Sequence, residues 1–159
     1  MLRNMIVRRL EHTDISVCER ILHALPHWFG IPEANEAYIR SLAMLPAYVA
    51  TVDGRVVGFI AVKHHNRNAS EINVLAVEPT MHRRGVGRAL VNAIEADLRV
   101  KGVSLLQVKT LGPSKPNECY RKTRVFYEAM GFLALEETTA FWGSKQPCLI
   151  MVKPLVHGH

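Results

Sequence analysis

Cysteine is scarce in this chain, and Cys18, Cys119 and Cys148 are odd in number and far apart. That spacing leaves no disulfide framework and no zinc-binding set. Cys119 has the chemistry of an acyl-carrying nucleophile, but a cysteine is more often a small hydrophobe. Long apolar runs are also missing, and no stretch nears the ~18 residues that mark a membrane-spanning helix. Met5-Ile6-Val7 runs straight into Arg8-Arg9, so the N-terminus lacks the apolar centre of a secretory signal, and a cytoplasmic location is the default expectation. No repeat, low-complexity tract or linker divides the sequence. Its 159 residues therefore read as a single domain, 1–159, large enough to bury about two thirds of its unfolded surface. A hydrophobic content of 48% with 21% charged residues is ordinary for a globular protein.

Charge is unevenly spread. The net charge is +6, and between Arg83 and Arg124 ten Lys or Arg face only Glu95, Asp97 and Glu118. Such a block concentrates an anionic ligand by its field. Nucleic acid is one such ligand, but the block has no interleaved stacking aromatics and no helix-turn-helix or zinc pattern, which speaks against it. The eight histidines are scattered, with His64-His65 and His157-Gly-His159 as the close pairs, and solvated loops or tails account for them.

The most informative run is Asn73-Val-Leu-Ala-Val-Glu-Pro-Thr-Met-His-Arg-Arg-Gly-Val-Gly-Arg-Ala-Leu90. Glu71 to Val77 is apolar and β-branched and is closed by Pro79, as expected of a buried strand. Val86, Leu90, Ile94 and Leu98 then recur at helical spacing, and Lys101-Gly102 supplies a helix stop. Between strand and helix, Gly85 and Gly87 allow close approach of backbone to an anion. Arg83, Arg84 and Arg88 add positive charge, and the helix start leaves N–H groups unpaired. This is a phosphate cradle. A dinucleotide fold would want a further small residue and an acidic strand end, where this chain has Leu90 and Lys109. A nucleotide triphosphate loop needs Gly-Lys-Ser/Thr, which does not follow Gly87.

Around this run the chain predicts a strand at Met5 to Leu10, a cap at Thr13-Asp14, and helices at Ile15 to Leu25 and Glu33 to Met44. Pro26, Gly30 and Pro32 break the chain between the helices. A hairpin follows, Tyr48 to Val52 and Val56 to Lys63, turned by Asp53-Gly54. Asn66 to Ser70 turns into the Glu71 strand, whose alternation puts Glu71, Asn73, Leu75 and Val77 on one face. Downstream come a strand at Ser104 to Thr110, a helix from Glu118 to Met130, and strands at Phe132 to Trp142 and Pro147 to Val152 about the turn Gly143-Ser-Lys. The order β-α-α-β-β-β-α-β-α-β-β describes one mixed α/β domain, an α+β arrangement around a mixed sheet.

The strand ending in Val77, the x-Pro step and the basic Gly-x-Gly loop resemble the acetyl-CoA signature of the GNAT-type N-acetyltransferases. Arg124-Val-Phe-Tyr-Glu-Ala-Met-Gly-Phe132 resembles that family's later helix, with its Phe-Tyr pair ahead of a Gly-Phe turn. The two motifs occur in the family's order and span about residues 70 to 133, and the remaining elements follow the GNAT order as well.

The resemblance implies direct transfer of an acetyl group from acetyl-CoA to a primary amine of a small molecule or peptide, with neither a metal nor a covalent enzyme intermediate. It equally admits a non-catalytic acyl-CoA-binding regulatory domain of the same fold, and a homodimer is compatible with either. Glu71 matches the general base of several branches. Deprotonating an amine of lysine type at neutrality costs about 4.6 kcal/mol unaided. Leu75 and Val77, with Ala76 between them, match the main-chain donors to the oxyanion. The run His82, Arg83, Arg84, Gly85, Val86, Gly87, Arg88 matches the pyrophosphate loop, with His82 a departure from the usual Arg or Gln. Tyr127 matches the tyrosine that serves the leaving thiolate. Proton transfer from a phenol to a thiolate is uphill by about 2 kcal/mol, so a hydrogen bond to sulfur is the better expectation. Tyr120 replaces an asparagine that contacts the pantetheine arm in many relatives, and Arg124 replaces a small residue; both are carried as candidate cofactor contacts. The acceptor pocket is expected around His27-Trp28-Phe29, Glu33, Glu36 and Trp142.

Overall fold

The computed structural model describes residues 4–155, so the His157-Gly-His159 pair lies outside the described residues. Seven strands form one sheet, β1 (Met5–Arg9), β2 (Ala47–Val52), β3 (Arg55–Asn66), β4 (Ala69–Val77), β5 (Leu105–Leu111), β6 (Leu133–Thr138) and β7 (Cys148–Pro154), in the spatial order β1-β2-β3-β4-β5-β7-β6. Four helices cover it, α1 (Ile15–His23), α2 (Pro32–Ser41), α3 (Val86–Val100) and α4 (Glu118–Ala129). The expected order of strands and helices holds, with short 3-10 turns added at His12–Asp14 and Pro79–Met81.

Neighbouring strands are antiparallel except β4 and β5. A parallel pair needs a crossover, and α3 supplies it. The predicted stripe of Val86, Leu90, Ile94 and Leu98 is 0–1% exposed and packs on the sheet with Val57, Ile60 and Ile72. At roughly 1.5–3 kcal/mol per buried side chain, this seam fixes the helix against the sheet. Gly58 lets it approach, because a Cβ there would stand 3.1 Å from both Ala76 O and Val86 Cγ1. On the opposite face Cys18, Ile21, Leu22 and Leu25 pack on Val49, Phe59, Val74 and Ala76. The sheet thus separates two apolar cores.

Several local expectations are corrected. Asp14 does not cap α1; its carboxylate accepts from the Glu11 N–H at 2.8 Å and from Arg8 at 2.7 and 3.0 Å, because a guanidinium outcompetes a helix amide for it. Helix α1 stops at His23, not Leu25. Helix α2 starts one residue early, with Pro32 in its first turn, and ends at Ser41, whose hydroxyl donates to Tyr38 O at 2.6 Å. Strand β6 ends at Thr138, where the side-chain oxygen accepts from Ala140 N at 3.1 Å and starts a turn, so Trp142 stands beyond it. The Asp53-Gly54 turn is as expected, with φ of 50° and 80° at its two positions.

The correction that matters most lies in β4. Val74 pairs with Ala61 and Ile72 with Val62, so two adjacent residues of β3 face residues two apart on β4, and Asn73 is an extra residue. This bulge reverses the alternation. Leu75 and Val77 join Ile72 against the α3 face, while Glu71 is on the α1 and α2 face. They do not share a face, as uninterrupted alternation had predicted.

Gly58→Ala is expected to destabilise the fold by about 1–3 kcal/mol, because the added methyl meets a backbone oxygen that cannot yield; urea unfolding measures it. The Arg8 guanidinium holds the Asp14 carboxyl below its ordinary range. A carboxylate with a depressed folded pKa contributes stability above its unfolded value near 3.9 and loses it as pH falls through the lower folded value. Asp14→Asn should therefore lower the melting temperature near neutrality, and the difference from the parent should shrink as the pH is taken down through that window.

Candidate active site

The site begins where β4 and β5 part. Their pairing runs from Ala69↔Leu105 to Ile72↔Val108 and ends at the Asn73 bulge, although β4 continues to Val77 and β5 to Leu111. Glu78 N–H donates to Val57 O at 2.8 Å, so by antiparallel alternation Ala76 and Val74 direct their backbone groups at β3. Leu75 and Val77 aim theirs the other way, into the gap. The Val77 carbonyl is accordingly free to accept from His82 Nε2 at 2.7 Å.

A cleft of about 1260 Å³ occupies this gap. Leu75, Ala76 and Val77 form its floor; His82, Arg83, Gly85, Val86, Gly87 and Arg88 form one end; Tyr120 and Tyr127 stand along α4. The two glycines have different jobs. Gly85 has φ of +84°, a left-handed turn that starts α3 with no side-chain cap, so the first amides of the helix stay unpaired. Gly87 makes room for α4, because a Cβ there would come 3.2 Å from Phe126 Cζ. Arg83 is also left-handed, with φ of 62°, which turns the loop around the helix start. Arg84 faces a second, smaller hollow, which Arg83, Arg88, Met5 and Asn92 also line.

Tyr127 is buried, with ring centroids 5.2 Å from Phe126 and 5.3 Å from Phe132. Burial pushes its phenol well above the ordinary range, with Tyr120 adding to the shift. The Tyr120 hydroxyl donates to Trp28 O at 2.6 Å, and burial pushes that phenol up to about 12. Trp28 in turn donates from Nε1 to Thr123 Oγ1 at 3.1 Å and meets the His82 ring edge-on at 5.7 Å. Tyr120, Thr123 and His82 thus hold the loop between α1 and α2 over the cleft. Arg124 is not in the cleft lining; its guanidinium donates to Leu111 O at 2.7 Å and secures the end of β5.

Glu71 is also outside the lining, just below it. Its Oε1 accepts from His65 Nε2 at 2.7 Å and from Gln107 Nε2 at 3.0 Å, and Lys109 Nζ stands 3.5 Å away. Glu33 and Glu36 are exposed on the outer side of α2, while Asn35 and Tyr38 from the same helix line the cleft beside His27, Trp28, Phe29 and Trp142. Two buried polar atoms there have no hydrogen-bond partner, Asn35 Oδ1 and Thr110 Oγ1. Neither thiol of the two buried cysteines is activated: burial raises Cys18 to about 12 and also raises Cys148. Cys119 is half-buried and is not in the cleft lining.

The family model for the acetyltransferase (GNAT) domain matches residues 45–133. The chain belongs to the GNAT acetyltransferase family. An uncharacterized N-acetyltransferase of Chlorobaculum tepidum is 31% identical over 90 residues, a match that covers 57% of this chain and 51% of that one, so it extends over about half the length of that relative. Among solved structures, a GNAT-family protein of Desulfovibrio desulfuricans superposes with a TM-score of 0.83 at 23% identity, over 96% of this chain and 99% of that one. A GNAT family acetyltransferase from Elizabethkingia anophelis, solved with acetyl-CoA bound, gives 0.74 at 16% identity, over 96% and 99% of the two chains. At these identities the superpositions establish the GNAT fold.

Within this GNAT chain, sequence reasoning missed the Trp28 anchor, the cap that Asn117 makes by accepting from Tyr120 N at 3.1 Å, and the donors around Glu71. An Asn ahead of Glu118 at the helix start was a legible capping signal. The others join residues up to 95 positions apart, and no local pattern records them. Tyr120→Phe is expected to cost about 1 kcal/mol and to speed amide exchange at Trp28 to Gly30, whereas a residue serving only as a ligand contact would leave that exchange unchanged.

Proposed function

We propose that this chain is a cytoplasmic, single-domain N-acetyltransferase over residues 1–159 that moves an acetyl group from acetyl-CoA directly to a primary amine of a small molecule or peptide. The observation that carries the proposal is the combination, in one cleft, of uncapped α3 amides, unpaired β4 backbone groups and an unbonded Thr110 hydroxyl. That combination fits a ligand with a diphosphate at one end and a carbonyl at the other.

In this reading the amides of Val86, Gly87 and Arg88 hold the diphosphate, with Arg83 and Arg88 supplying charge. The N–H groups of Leu75 or Val77 meet the oxygen on which negative charge grows as the amine attacks. The amine nitrogen's lone pair forms the new C–N bond, the C–S bond breaks with its electrons on sulfur, the amine gives up a proton, and the thiolate gains one. Tyr127 donates a hydrogen bond to the sulfur and does not surrender its proton, since its phenol is held far above a thiol.

The role of Glu71 is narrower than that of a free base. Its Oε1 already accepts from His65 and Gln107 and has Lys109 Nζ 3.5 Å away, so it accepts the amine's proton through water at its other oxygen, from which the proton passes to solvent. The cleft's cations assist, because like charge favours the neutral form of an amine. Tyr120 and Arg124 serve this machinery by fixing the Trp28 loop and the end of β5. The rival reading, an acyl-CoA sensor without chemistry, is favoured by the engagement of Glu71.

Binding of acetyl-CoA in calorimetry, followed by thiol release when amines are added, separates enzyme from sensor. Glu71→Gln is expected to flatten the rise of rate with pH, and Tyr127→Phe to lower kcat about 10-fold or more with little change in acetyl-CoA affinity. Parent-like turnover in both variants overturns these roles.

A further inference from the structure

The cleft is lined by Arg83, Arg88, Lys109, Lys115 and Lys122, and among the described residues no Asp or Glu lines it. A diphosphate at the start of α3 accounts for the two arginines. Two of the lysines belong to the opposite end. Lys109 stands 4.4 Å over the Phe141 ring, and Lys115 Nζ donates to Gln146 Oε1 at 3.2 Å, so both are tied to the segment between β6 and β7 that brings Trp142 and Gln146 to the cleft. Lys109 has Glu71 as a counter-ion at 3.5 Å, whereas Lys115 engages only a neutral amide oxygen among the contacts described. Asn35 also lines this cleft, and its Oδ1, buried and without a partner, is an acceptor that no N–H of the described residues fills.

Resting on the acetyl-transfer reading, we infer that the acceptor is an amine that also carries a carboxylate, with Lys115 and Lys109 binding the carboxylate and Asn35 Oδ1 receiving the amine N–H. A polycationic amine meets only like charge here. The nearest carboxylate, Glu71, is outside the lining and already engages Lys109, His65 and Gln107, so it does little to offset the desolvation of a further cation. A carboxylated amine instead brings its own counter-charge to Lys115, and the lysines keep its nitrogen in the neutral, nucleophilic form. Transfer forms the N–C bond and releases CoA as the thiol, leaving an N-acetylated acid as product.

The experiment is a panel of amines assayed by thiol release from acetyl-CoA, with rates compared at equal concentrations of neutral amine. Free glutamate, other free amino acids and a tripeptide with acidic residues at its N-terminus are set against spermidine and lysine amide. The expected result is a kcat/KM advantage of roughly 10- to 100-fold for the carboxylated amines, the range of a hydrogen bond to a charged group. Preference within that set for free amino acids, or for the tripeptide, tells a small acid from a peptide end, and either supports the inference. Lys115→Glu should reverse the order between acidic and cationic amines, and Lys115→Gln should erase it, while acetyl-CoA affinity measured by calorimetry stays near that of the parent. A purely structural lysine would lower all rates together. Equal or better use of spermidine overturns the inference, as does a Lys115 variant that weakens acetyl-CoA binding as much as amine use, or acetyl-CoA binding with transfer to none of the panel. Failure to bind acetyl-CoA at all is distinguishable, because it removes the acetyl-transfer reading itself.

Discussion

The parting of β4 from β5 at Asn73 is the constraint on which the rest of this molecule depends. One extra residue in a central strand ends the parallel ladder at Ile72↔Val108 and rotates every later side chain of β4 by one face. In the middle of a sheet this ought to be costly, since unpaired backbone groups are exposed where they cannot reach another strand. The cost is limited because His82 Nε2 finds the backbone oxygen of Val77 at 2.7 Å, while the extra residue is anchored by Asn73 Nδ2 donating to Ser41 Oγ at 3.2 Å. The groups left over are those that open on the cleft.

The two apolar cores hold that gap open from either side. On one face the α3 stripe binds β2, β3 and β4 together, and on the other α1 packs on β3 and β4, so β4 cannot slide toward β5. Strand β5 is drawn away by its own partners, pairing with β7 along its whole length from Leu105↔Pro154 to Leu111↔Cys148. Arg124 adds its bond to Leu111 O. The cleft is therefore a consequence of two well-satisfied sub-sheets that share only four pairs of residues.

Electrostatics divides the basic block by use. Arg99, Lys101 and Arg121 pair with Glu95, Asp97 and Glu118 along α3 and α4 and are outside the cleft lining, which takes up all three acids of the block. The buried Glu95 also holds Lys153 at 2.8 Å and ties α3 to β7. Of the seven cations that remain, Arg83, Arg88, Lys109, Lys115 and Lys122 line the cleft.

The sequence by itself determined the elements and the glycine loop that starts α3. The Val86 to Leu98 stripe, the Asp53-Gly54 turn and the Gly85 helix start are local signals, written within a few residues and enforced by backbone sterics and helical period wherever they occur. Of the fourteen catalytic and cofactor-contact residues expected, eleven line the larger cleft, all but Tyr120 on two contiguous motifs. Tertiary structure decided the rest. The bulge at Asn73 shows in no residue type, since strand alternation reads the same with or without it, and only the pairing with β3 reveals that Glu71 and Leu75 point apart. The engagement of Glu71 by His65, Gln107 and Lys109, the turning of Tyr120 and Arg124 to backbone oxygens, and the outward placement of Glu33 and Glu36 are contacts across the sheet or consequences of helix rotation. Such facts depend on how whole elements pack, and a one-dimensional pattern carries no record of which face each element presents to another.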